Sequence, residues 1–349
     1  MSNNLSTPFK EILKFHEQTL GKSDIEKQAI AQSQSIDFDE YQRRIRGKEK
    51  ELEFLIIMKS TASFKDIKAI DEEVSQITGE KTPDYEVEFV DGYRMMIEVK
   101  HTDKDHFEIS GGNLQKRIDY AAAHDLDLRF AVSIRGFWGL FTSEFLKSKN
   151  GKISISDYTG KERNSWFDRE LETCSYMFLQ PLKMVSVYSS KTVEGLGLVF
   201  EPYGELISFE LYCDDRLILK VDHNNNSKCW YVLALEAIQN RLSNISQEIA
   251  KNGHLTTIVE RNDSAPCQCF AEYQFVLAAI KHTKYVDKNI KDNIFIAAGE
   301  GDNYILSVSH IRKVMSDLSD LGVEIICFKD GLGYRFNDYR NEFWTKKRR

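Results

Sequence analysis

Three side chains whose types and spacing suit metal-assisted hydrolysis lie in TPDYEVEFVDGYRMMIEVK, residues 82–100. They are Asp84, Glu98 and Lys100. Tyr85, Val87 and Phe89 alternate with Glu86 and Glu88, which is strand periodicity. Asp91-Gly92 predicts a hairpin, with Tyr93 to Lys100 as its return strand. A strand points successive side chains to opposite faces, so Glu98 and Lys100 share one face and Ile97 and Val99 the other. The hairpin then brings Asp84 alongside Glu98. Mg²⁺ is a hard ion that takes one or two protein carboxylates. Asp84 and Glu98 supply these, and the Val99 carbonyl adds a third oxygen, with Mn²⁺ as a substitute metal. Such an ion polarises a phosphodiester and acidifies water. Lys100 can orient the attacking water or help deprotonate it, and it can offset charge on the transition state. Glu-x-Lys alone is common on solvated strands. The fuller pattern asks for Pro83-Asp84 opening a strand, a hairpin, and Glu-x-Lys closing an otherwise apolar strand.

The elements that must position these groups are legible around them. Residues 7–20 read as a helix, followed by a polar stretch. A longer helix runs from Asp39 to about Ser60, charged at its start and apolar in LEFLIIMK. After the hairpin, residues 111–124 form a helix entered through a Gly pair. LRFAVSI and FWGLFT are two further strands joined by Arg135-Gly136. Helix, hairpin, helix, strand, strand describes a compact α/β unit over 38–145.

Residues 47–142, about a quarter of the chain, resemble the archaeal Holliday-junction resolvase branch of the PD-(D/E)xK nuclease superfamily. Gly47-Lys-Glu-Lys-Glu51-Leu-Glu-Phe-Leu is similar to that family's opening Gly-xxx-Glu helix. IEVKHTDKDH, residues 97–106, is similar to its metal strand, and GFWGLF to its aromatic-rich closing segment. The resemblance implies a restriction-endonuclease-like α/β (α+β) core with a mixed sheet. It implies Glu51 as a fourth catalytic and metal-binding residue, with Glu53 as the fallback. It also implies that Gln115 and Lys116, with Tyr120, lie near phosphate on the helix after the triad. Lys104 and His106 could contact the backbone, and His106 reads equally as a surface histidine.

A second signal lies in residues 307–336. Ser309 is expected to cap a helix carrying Ile311, Val314, Met315 and Leu318, which Gly322 ends. GVEIICF, a tight KDGLG turn and YRF follow. Helix, strand, turn and strand resemble the recognition helix and wing of winged helix-turn-helix regulators, with FAEYQFVLAAIKH (270–282) as the supporting element. That resemblance implies DNA contacts from Ser307, Ser309, His310, Arg312, Lys313, Lys329 and Arg335. The same fold also serves protein contacts. The basic tail TKKRR would add phosphate affinity.

The chain has 349 residues, 42% hydrophobic and 29% charged, which suits globular domains. Four regions are expected: a helical N-terminal extension (1–37), the nuclease domain (38–145), a linker with a strand-rich middle (146–262), and the winged-helix-like module (263–349). A linker or excursion is placed at the polar, turn-rich residues 146–168. The middle is read as strands in MFL, MVSVY, LGLVF, ISFELYC, RLILKV and WYVLAL, then helix over 231–252 and a polar break. Net charge is −7, unlike most nucleic-acid binders, yet QRRIRGKEK at 42–50 is a local basic footprint. The six cysteines show no zinc-knuckle spacing and read as free thiols. No apolar run is long enough to span a bilayer, and the N-terminus lacks a signal-peptide pattern, so the expected location is cytoplasmic without a membrane partner.

These readings converge on a Mg²⁺-dependent DNA endonuclease for duplex or branched DNA, in restriction, phage defence or mobile-element and junction processing. Cutting both strands needs two active sites, so a homodimer is expected, with the middle region as a candidate dimerisation or partner-protein surface. The competing readings are a non-catalytic winged-helix DNA-binding regulator with a degenerate nuclease fold, and a nuclease acting on RNA.

Overall fold

The computed structural model describes residues 9–19, 21–61, 64–70, 81–159, 171–191, 195–200, 203–239, 244–249, 254–261, 270–280, 307–329 and 332–341. The basic tail and residues 281–306 lie outside them, as do residues 330 and 331 of the expected KDGLG turn.

Three helices come first: α1 (Phe9–Gln18), α2 (Asp24–Ser33) and α3 (Phe38–Thr61). Residues 21–35 have the composition of a polar stretch, but α2 forms there. Its signal is a capping box, in which the Ser23 side chain accepts from the Glu26 N–H and Glu26 Oε2 accepts from the Ser23 N–H at 2.8 Å. Helix α3 is opened by Asp37, whose Oδ1 accepts from the N–H groups of Asp39 and Glu40 at 3.0 Å.

The next elements are β1 (Phe64–Ala69), β2 (Tyr85–Phe89), β3 (Arg94–Thr102), β4 (His106–Glu108), α4 (Gly111–Ala123), β5 (Asp127–Ile134) and β6 (Phe137–Thr142). They build a mixed sheet in the order β1-β2-β3-β5-β6. The β2–β3 pair is antiparallel and turns through Gly92 at φ +88°. Strands β3 and β5 are parallel with α4 between them in sequence, and β5–β6 is antiparallel. Strand β1 was not anticipated, because FKDIKA is a largely exposed edge with little apolar alternation.

The sheet is buried on both faces. Met95, Ile97 and Val99 pack with Phe54, Ile57 and Met58 of α3. Met96 packs on the other side with Leu114 and Ala121 of α4. Register therefore matters: a one-residue slip of β3 would exchange every side chain between the two cores.

Residues 146–159, within the expected linker or excursion, carry regular elements. They continue α5 (Ser143–Ser148) and contain β7 (Lys152–Ser154) and α6 (Ser156–Thr159), and β7 pairs with β4. Further on come β8 (Ser175–Phe178), β9 (Leu182–Ser189), β10 (Val199–Phe200), β11 (Gly204–Cys213) and β12 (Arg216–Val221). Then follow α7 (Cys229–Gln239), β13 (Asn244–Ile249) and β14 (Leu255–Arg261). WYVLAL, read as strand, thus belongs to α7. Tyr231, Val232, Leu233, Ala234 and Leu235 are all buried, and a helix buried all round has no period to read. Conversely, residues expected as helix and polar break form the antiparallel pair β13–β14.

The last elements are β15 (Phe270–Ala271), α8 (Glu272–Ile280), α9 (Val308–Asp320), β16 (Ile325–Lys329), β17 (Leu332–Arg335) and α10 (Phe336–Tyr339). Helix and hairpin follow in the expected order, although Ser307 rather than Ser309 takes the N-cap position. The hairpin is not a free wing. Strand β16 pairs with β8 on its other edge, giving the order β15-β8-β16-β17. Nor is the face of α9 basic. Arg312 Nε lies 2.9 Å from Oε1 of the fully buried Glu272, and its terminal nitrogen donates to the Glu172 carbonyl at 2.6 Å. Lys313 pairs with Asp317 one turn on.

Arg312 is therefore assigned to the core rather than to DNA. Arg312→Ala should cost about 3 kcal/mol of unfolding free energy, because it strands a buried carboxylate. Lys313→Ala should cost well under about 1 kcal/mol. Urea denaturation checks both; equal, small effects would return Arg312 to the surface.

Candidate active site

The hairpin sets the site's geometry. Tyr85 pairs with Ile97, so Asp84, one residue before β2, stands opposite Glu98. Asp84 is held by the chain itself: its Oδ2 accepts the Val99 N–H at 2.6 Å. Glu98 is fully buried. Lys100, on the same face two residues later, keeps a third of its side chain exposed.

The Lys100 ammonium touches the three oxygen-bearing groups assigned above to a metal. It lies 2.5 Å from Glu98 Oε1 and 3.9 Å from Asp84 Oδ2, and it donates to the Val99 carbonyl at 2.9 Å. Arg117 supplies a second cation, with Nε 2.6 Å from Glu98 Oε1. Neither contact to Oε1 has hydrogen-bond geometry, and Oε2 has no hydrogen-bond partner among the described residues. Glu98 is thus surrounded by charge but poorly bonded. Burial, then the neighbouring Asp84, pushes its carboxyl up to about 7 against the pull of Lys100 and Arg117. Burial alone would lower Lys100, but Glu98 and Asp84 outweigh it and hold the ammonium above the ordinary lysine value.

Arg117 escaped the sequence reading, which chose its neighbours on α4. Its signal is positional. Leu114 and Ala121 are the buried residues of α4, and Arg117 falls between them on the same stripe. Gln115 and Lys116 face solvent, and Gln115 donates to Asp119 at 2.6 Å. Tyr120 is half-buried against His124. Lys104 is exposed and His106 half-buried in β4. None of these is brought to the carboxylate pair by a described contact.

Glu51 does not complete a three-carboxylate set. It projects from α3, which packs on the opposite face of the sheet from Glu98. There it meets Lys48 at 2.6 Å and the Tyr85 hydroxyl at 3.5 Å. Glu53 pairs with Lys50 and accepts from the Trp138 indole at 2.8 Å. Among the described residues no group of three or more His, Cys, Asp or Glu gathers at metal-binding spacing. The donor set present is two carboxylates and a carbonyl, all hard oxygens. That set fits Mg²⁺ or Mn²⁺, which accept one or two carboxylates and complete their shells with water and phosphate. The unbonded Oε2 of Glu98 is the observation that favours a cation there.

At the C-terminal end, Ser309, His310 and Arg335 are exposed and Lys329 is half-buried. The Ser307 hydroxyl lies 2.7 Å from His310 Nδ1, a local capping contact.

No family model matches the sequence, and no curated protein does. Among solved structures, the chain is similar to Archaeoglobus fulgidus Hjc, a Holliday junction resolvase from an archaeal hyperthermophile. That likeness has 20% identity and a TM-score of 0.28, and it covers 32% of this chain and 89% of that one. At that score the likeness adds nothing to the assignment of residues, which rests on the geometry above.

Glu98 carries a pH signature. Its carboxyl ionises near 4.5 when unfolded and near 7 when folded, so the native state retains a proton that the unfolded state loses between those values. Stability of the metal-free protein should therefore fall as pH rises from 4.5 to 7, by about 3 kcal/mol for this group. Urea denaturation at pH 5 and pH 8 checks it. The fall should be clearly smaller in Glu98→Gln, and an equal fall in both would contradict the burial argument.

Proposed function

We propose that the chain is a divalent-metal-dependent nuclease acting on DNA, with Asp84, Glu98, Val99 and Lys100 at its centre. The observation that carries this reading is the convergence of two buried carboxylates, a strand carbonyl and an ammonium at one end of a mixed sheet. Asp84, Glu98 and the Val99 carbonyl would hold Mg²⁺. When bound, the ion supplies Lewis acidity to the phosphodiester and acidifies water.

The chain's own groups do the rest. The Val99 N–H fixes Asp84, so one carboxylate is oriented before substrate arrives. Arg117 holds Glu98 from α4 and keeps compensating charge beside it. Lys100 is partly open to solvent, so it can turn from the carboxylates toward a phosphate oxygen or the attacking water. An ammonium there offsets the negative charge that grows on phosphorus oxygens. Glu51 is proposed in a supporting role, ordering Tyr85 next to Asp84.

Cleavage of both strands requires two such centres, so a homodimer is proposed, with the middle region as the partner surface. No helix among the described residues is long and apolar enough to cross a membrane.

A second reading has one observation in its favour. Glu51 is engaged on the other face of the sheet, leaving two carboxylates rather than three. That arrangement also suits a non-catalytic nucleic-acid binder that retains the fold.

Cleavage assays separate the two. Wild type should cut plasmid or a four-way junction with Mg²⁺ or Mn²⁺ and not with EDTA. Lys100→Ala should lose at least about 100-fold in rate, the scale of removing one transition-state electrostatic group. An RNA arm tests the choice of DNA. Failure to cut any substrate supports the binder, and a fully active Lys100→Ala removes the site assignment.

A further inference from the structure

The basic stretch over 42–50 is not used by the centre described above, yet it lines a cleft on the α3 face of the sheet, reached by the same end of β3. The cleft has a volume of about 1070 Å³. One wall is the turn into α2 and the start of that helix, carrying Lys22 and Lys27, and another is the first half of α3, carrying Arg43 and Arg46. His16 of α1 and His101 of β3 also line it. His101 follows Lys100 in the chain, its Cα one peptide step, about 3.8 Å, away, and its side chain is on the other face of β3, toward α3.

Charge in the cleft is unevenly compensated. Lys22, Lys27 and Arg43 make no side-chain hydrogen bond or ion pair with a described residue, whereas Arg46 pairs with Asp103. Three carboxylates also line it: Asp24, Asp39 and Glu49. Asp24 and Asp39 sit in the first turns of α2 and α3, where helix N-termini offset them. Burial, the largest influence on Glu49, pushes its carboxyl above the usual range. The only tyrosine on the lining, Tyr41, is buried, and no tryptophan or phenylalanine lines the cleft. Cations without an exposed stacking platform suit phosphates rather than bases.

We propose that this cleft seats the sugar–phosphate backbone of the nucleic acid flanking the cut, independent of sequence. The assignment rests on the nuclease reading for its substrate. It makes the N-terminal helices a backbone clamp at the end of β3 that carries Lys100, on the face opposite to the carboxylates.

The test is fluorescence anisotropy on the full chain with Ca²⁺ in place of Mg²⁺. The probes are a labelled duplex and a single strand of the same sequence, and adenosine monophosphate is the competitor. Wild type should bind the oligonucleotides with a salt-dependent affinity, and the monophosphate should compete poorly. Lys27→Glu with Arg43→Glu should weaken binding at least about tenfold. It should also make the slope of log K against log salt shallower by about 2, the loss of two phosphate contacts. Lys27→Arg with Arg43→Lys should bind like wild type. If the reversed pair melts early, Lys27→Gln with Arg43→Gln gives the same comparison with a smaller effect. Wild-type affinity and slope in the neutralised or reversed pair would overturn the proposal. So would monophosphate binding without oligonucleotide binding, or no binding at all. A wild type that binds with this slope but cuts nothing refutes the nuclease reading and leaves the clamp. A wild type that cuts, and whose reversed pair binds normally, refutes only the clamp.

Discussion

The burial of Glu98 constrains everything around it. A carboxylate with no solvent exposure needs compensation, and here it comes from two cations reaching one oxygen while the other oxygen has no hydrogen bond. Each structural element near the site contributes to that arrangement. The β2–β3 register sets Asp84 opposite Glu98, the helix between β3 and β5 delivers Arg117, and the two-residue period of β3 places Lys100 on the same face. Both faces of β3 are packed, so the register cannot slip without exchanging Ile97 and Val99 with Glu98 and Lys100.

The electrostatics read as a site prepared for one more cation. Lys100 contacts the same three groups that a metal would use, and it is the only one of the two cations with substantial exposure. An ammonium on a flexible stem can leave where a packed arginine cannot. Arg117 therefore reads as the fixed counter-charge and Lys100 as the movable one. Helix α3 ties this centre to the rest of the chain. Its Phe54, Ile57 and Met58 pack under the five-stranded sheet, and Ile56 packs into the core shared by the middle and C-terminal strands.

How much of this was legible depended on whether neighbours in sequence were neighbours in space. The hairpin was legible, because alternation and Asp91-Gly92 fix both face and register locally. Arg117 was missed because its role depends on how α4 docks, although its place on the Leu114–Ala121 stripe was a usable sign. Glu51 lies on the α3 face, which its motif does not reveal, because a motif gives spacing along a helix and not which face of a sheet that helix covers. The C-terminal helix and hairpin were read in the right order, but β8, which converts the hairpin into part of a larger sheet, comes from about 150 residues earlier. Such long-range pairing leaves no local mark. The same holds for Arg312, whose cationic signal pointed to DNA and whose partner, Glu272, lies 40 residues away in the core.

The most direct measurement is Mn²⁺ titration by calorimetry near pH 6.5 in two buffers of different ionisation enthalpy. If Glu98 awaits a cation, the ion binds stoichiometrically and displaces a proton. Glu98→Gln then loses both the proton release and most of the affinity. Binding by Glu98→Gln equal to wild type, or wild-type binding without proton release, would contradict the account.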